Sequence, residues 1–138
     1  MKLEFLFLGT WGFLSTTLFS CAEVKKNSQA LTVCSVSANP EHFSGKIITV
    51  SGRLESDGIE RTTLMDEGCE GTGIAISAPT HFKGEVGFTK AFEKGHPGTL
   101  DKRITGTLVG KFEWHPQAVS PKRLLVLKEA RNISVVMK

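Results

Sequence analysis

The side chains in this chain that could carry chemistry are its acids, four histidines and three cysteines, and their spacing argues against a catalytic centre. Asp66 and Glu67 are adjacent, so at a strand end their carboxylates point apart and cannot share a proton as an acid–base pair. His42, His81, His96 and His115 are scattered through loop-like sequence with no Cys-x-x-Cys nearby, which leaves no zinc or redox pattern. Nor is there a Gly-x-Ser-x-Gly elbow, a phosphate loop or a His-Glu-x-x-His. Gly71-Thr72-Gly73 is too short for a dinucleotide turn and precedes a strand pattern, not a helix. The acidic turn at Asp57-Gly58 lacks the alternating oxygen ligands of a calcium loop. Trp114-His115-Pro116, at a strand end, could offer a stacking surface to a sugar or peptide; alternatively Trp114 fills one end of a core. No catalytic residue, metal site or cofactor is expected.

The elements that must position these residues are mostly strands. Residues 46–55 alternate Ile48, Val50, Gly52 and Leu54 with Thr49, Ser51, Arg53 and Glu55, the period of a half-buried strand. Ser56-Asp57-Gly58 is a hairpin cue, so residues 59–66 should run back antiparallel. A second turn at 67–71 leads to a third strand over 72–77, carrying Ile74 and Ile76 on one side. Residues 79–97 lose the alternation; Phe82, Val86, Phe88, Ala91 and Phe92 predict one short helix around 87–94, ended by Gly95-His96-Pro97-Gly98. The clearest strand is 103–114, with Ile104, Gly106, Leu108, Gly110, Phe112 and Trp114 on one face. Glycines on an inward face suit a strand that bends sharply or receives a close neighbour. Residues 123–128 form a further strand that 132–136 continue, and a short helix is expected over 35–43.

The first residues set the compartment. Lys2, the apolar run 5–19 and Ser20-Cys21-Ala22 have the three parts of a secretory signal, and the apolar run is too short to span a bilayer comfortably. Leu18-Phe19-Ser20-Cys21 resembles the lipobox of bacterial lipoproteins, which implies Cys21 as the lipid-bearing first residue after cleavage; Phe19 departs from the small residue usual at its position. Cleavage after Ala22 is the competing reading. Residues 1–21 are therefore read as signal, 22–30 as a polar tether and 31–138 as one domain, with export to a membrane-anchored or soluble periplasmic or secreted location. With Cys21 claimed, Cys34 and Cys69 remain, and two thiols in a small exported domain most often pair. The bridge would close a loop of about 36 residues, worth roughly 3 to 4 kcal/mol in loop entropy. The net charge of +3 is far below the footprint of a nucleic-acid binder.

Three strands, a helix and two strands is the order of the five-stranded Greek-key barrel called the OB-fold, whose helix lies between strands three and four. Residues 45–54 resemble the family's bent first strand with its central Gly52, and 104–108 its fourth. Cys34, Asn39-Pro40, Phe43, Gly45-Lys46, Ser51-Gly52-Arg53, Asp66 and Cys69 together are similar to small exported bacterial proteins of this type. The resemblance implies a ligand face across strands two and three, flanked by the loops joining strands one to two and four to five. Residues 44–81 hold no Phe, Trp or Tyr, and residues 55–70 hold six acids against Arg61, a net −5, so that face should repel phosphate and nucleic acid. Lys102, Arg103, Lys111, Lys122 and Arg123 form a basic stripe that reads as a solvated outer face. Candidate binding residues are Asp57, Glu60, Arg61, Asp66, Trp114 and His115. The expectation is a non-enzymatic exported binding or structural module for a small ligand or protein, touching membrane only through its lipid. A periplasmic small-ligand or cation-binding protein and an enzyme of unrecognised type are the alternatives.

Overall fold

The computed structural model describes residues 29–57, 61–93 and 102–137. The signal and most of the tether, Cys21, Gly58 and Glu60 lie outside them. The elements run β1 (Leu31–Thr32), α1 (Val33–Ala38), α2 (Pro40–Phe43), β2 (Ile47–Ser56), β3 (Thr62–Met65), the 3-10 turn Glu67–Cys69, β4 (Ile74–Ser77), α3 (Glu85–Ala91), β5 (Lys102–Trp114) and β6 (Arg123–Met137). The fold is mainly β.

Five strands close into a barrel. β2 pairs antiparallel with β3, β3 antiparallel with β4, β4 parallel with β6, and β6 antiparallel with β5. The ring shuts where β5 returns antiparallel to β2, from Ile47↔Lys111 to Leu54↔Ile104. β1 lies parallel beside β2 at Leu31↔Val50 and Thr32↔Ser51, filling the stretch of edge that β3 leaves open.

Alternation explains the interior. Ile48, Val50 and Leu54 of β2 meet Leu64, Ile74, Ile104, Leu108, Phe112, Leu125 and Leu127 in one cluster, all nearly or fully out of water. Val33 and Val36 of α1 and Phe88 and Ala91 of α3 join it, with Phe88 edge-on to Phe82 at 5.4 Å between centroids. The two glycines on the inner face of β5 coincide with breaks in its register against β6, between Thr105 and Thr107 and between Val109 and Gly110. At Gly110 the carbonyl of Val126 occupies the space a Cβ would need, so the close approach requires glycine. Asn132 takes a left-handed φ of 51° near the first break, and β6 continues through it to Met137 as a single strand.

The helices differ from expectation at their bounds. One helix over 35–43 is instead two, because Pro40 disfavours the α conformation at Asn39, which sits at φ −143° and ψ 66°. α1 begins two residues earlier than expected because Thr32 and Ser35 form a reciprocal cap, each side chain bonding the other's backbone N–H. α3 likewise starts two residues early, at Glu85 behind the left-handed cap Gly84, and the stop expected at Gly95-His96-Pro97-Gly98 lies outside the described residues. Cys34 and Cys69 are bonded, with Cα atoms 5.5 Å apart, tying α1 to the turn after β3. No helix among the described residues is long and apolar enough to cross a membrane.

Candidate functional site

Two grooves of similar size lie on the outer wall, and Met65 lines both. Because side chains alternate along a strand, the outward set of β3 is Thr63 and Met65, and that of β4 includes Ala75. The first groove, about 410 Å³, runs over these residues and Gly71 and Gly73, and is walled by Arg61 on one side and Val119 to Arg123 on the other. A Cβ at Gly73 would collide with Met65 Sδ and Thr63 Cγ2, so glycine keeps the floor clear.

Local hydrogen bonding sets each wall. Asp57 closes the β2–β3 turn, its amide donating to the Arg61 carbonyl at 3.2 Å and its Oδ1 accepting from the Arg61 amide at 2.9 Å. Asp57 is thereby a turn residue. The Arg61 guanidinium then crosses the mouth and donates from Nη1 to Ser120 Oγ at 3.1 Å, joining segments 59 residues apart. The opposite wall is held by the His115 amide donating to the Lys122 carbonyl at 2.8 Å. Arg123 lays its guanidinium over the Trp114 ring, 5.5 Å from the centroid, and its Nε–H is buried without an acceptor among the described residues.

The charge of this groove comes from Arg61, Lys122 and Arg123, and no carboxylate or aromatic ring is among the described residues lining it. This differs from the −5 summed along residues 55–70. Glu55 and Glu67 contribute to that sum, but Glu67 lines the second groove and Glu55 pairs with Arg53, which lines it too. There Arg53 donates from Nε and Nη2 to Glu55 Oε1 at 3.1 and 2.7 Å, and Glu67 Oε1 accepts from Arg53 Nη1 at 3.4 Å and from Arg103. This second groove, about 400 Å³, is lined by Ser51, Gly52, Thr105, Gly106 and Thr107 among others, and its cations already have anions.

The residues expected at a site are thus divided. Arg61 is in the first groove, and Asp57 shapes the turn beside it. Asp66 lines the second, its Oδ1 accepting the Gly68 amide at 3.1 Å to cap the 3-10 turn. Trp114 is half-buried, packed on the core and under Arg123, so its face is not open for stacking. His115 is exposed, with Nε2 3.2 Å from Glu113 Oε2. Sequence reasoning misses Ser120 and leaves Lys122 and Arg123 in a basic stripe read as a solvated outer face, of which Lys102 is instead buried; the signal for the site is the loop joining the last two strands, which runs through Ser120 and Lys122 into Arg123. Among the described residues the group close enough to hold a metal is Cys34, Asp66 and Cys69, and the bridge removes both sulfurs as thiolate ligands. No protein-family model matches the chain, and no curated protein matches it as a relative.

Proposed function

We propose that this chain is an exported, non-enzymatic binding module of OB-like type, held to a membrane through lipid on Cys21, whose small ligand lies in the first groove. The strand order, with parallel β4–β6 pairing and α3 between β4 and β5, supports the family reading. The Cys34–Cys69 bridge agrees with an oxidising compartment. The observation that carries the site is the Arg61–Ser120 bond, which joins the two flanking loops across a groove large enough for a small molecule. Nucleic acid is disfavoured because the groove offers no aromatic platform for bases. A cation ligand is disfavoured because Glu55 and Glu67 already hold Arg53 and Arg103.

The test is amide shift mapping of the isotope-labelled mature protein against a mixed panel of small acids, bases, sugars and peptides. Shifts should cluster at Thr63, Ala75 and residues 119–123. Responses confined to other faces, or conversion of a panel member into product, would refute the reading.

A further inference from the structure

We propose that the ligand of the first groove is an amphipathic anion, a carboxylate or phosphate head carried on an apolar body. This rests on the reading of that groove as the binding site and names what the groove accepts. The head is assigned by the three cations. Arg61 is fixed in place by Ser120, Arg123 is fixed by Trp114, and Lys122 precedes Arg123 on the wall opposite Arg61. No lining acid among the described residues competes for them. A bound carboxylate or phosphate oxygen gives such donors the charge-assisted bonds they lack.

The body is assigned by the rest of the wall. Val119 is 98% exposed at the rim, an apolar side chain that nothing covers, and Met65, Ala75 and Pro121 continue its surface into the groove. A bare inorganic anion would leave that surface in water. A neutral amphiphile would leave the cations unmatched. The combination selects a molecule that has both ends.

Calorimetry on the full mature protein, with shift mapping at Thr63, Ala75 and Lys122, tests this with octanoate and octyl phosphate against acetate, inorganic phosphate and octyl glucoside. The octyl anions should bind in the groove, and each half-probe should bind at least about tenfold more weakly, since several methylenes or the charge is lost. Val119→Ser, at a position too exposed to affect folding, should weaken octanoate several-fold and leave acetate unchanged. Lys122→Gln should weaken the octyl anions and leave octyl glucoside unchanged. Octyl glucoside binding in the groove as tightly as octanoate overturns the anion assignment while the groove remains the site. Acetate matching octanoate overturns the apolar half. Binding to phosphatidylglycerol vesicles with no response to soluble octyl anions overturns the proposal, and no groove response to any probe removes the site reading with it.

Discussion

The two grooves that meet at Met65 are nearly equal in volume, but one is electrically complete and the other is not. Over β2 and β5, Arg53 and Arg103 share the carboxylate of Glu67, and Ser51 Oγ and Thr107 Oγ1 satisfy each other at 2.7 Å. Over β3 and β4, Arg61, Lys122 and Arg123 face a cavity with no counter-charge among the described lining residues. Cations that the fold has already matched contribute to a surface; cations left unmatched beside an exposed apolar rim point to a molecule that comes and goes.

The shared foundation is the place to break both at once. Phe112 is fully buried between β2 and β6, and Phe112→Ala should cost about 3 to 5 kcal/mol, read as a shift of the denaturation midpoint, with both grooves lost together. Next is the bridge. Cys34→Ser with Cys69→Ser should cost about 2 to 4 kcal/mol, releasing the turn that carries Glu67 and leaving octanoate binding at Arg61 within a factor of about three. An unchanged midpoint would remove the bridge as a stabilising tie.

Smaller changes sharpen the contrast. Glu67→Gln should cost at most about 1 kcal/mol, because the carboxylate is largely exposed and its ion pairs are screened. It unmatches Arg103 while Arg53 keeps Glu55, and it creates no apolar rim, so octanoate should still map to the first groove; binding over Arg103 would show that unmatched charge alone is sufficient. Arg61→Ala should move stability by no more than about 0.5 kcal/mol. It should nevertheless weaken octyl phosphate about tenfold, the loss of one charge-assisted contact.

Much of the architecture is legible along the chain. Two-residue alternation locates β2 and β5, the Asp57 turn anticipates the β2–β3 hairpin, and cysteine arithmetic anticipates Cys34–Cys69. Each of these signals is local or depends on a count. The charge of the groove is neither, because Arg61 meets Ser120 across 59 positions while Glu55 and Glu67 pair with Arg53 and Arg103. Summing charge over consecutive residues mixes two faces that a strand separates at every step. The break at Asn39 was legible from Pro40, and the early start of α1 was hidden because Ser35 completes a cap more often made by Glu or Gln.

β1 has a mechanical meaning if the chain is held at Cys21. Tension arriving along the tether reaches the body at Leu31 and Thr32, whose only strand pairing among the described residues is the short parallel contact with Val50 and Ser51. Two residue pairs are a weak fastening, but Cys34 follows almost at once and is covalently joined to Cys69 beyond β3. A pull that strips β1 from the barrel is therefore stopped within one turn of α1 and handed to a sulfur–sulfur bond. The leash ends in a rivet, set in the turn between the two strands that floor the first groove.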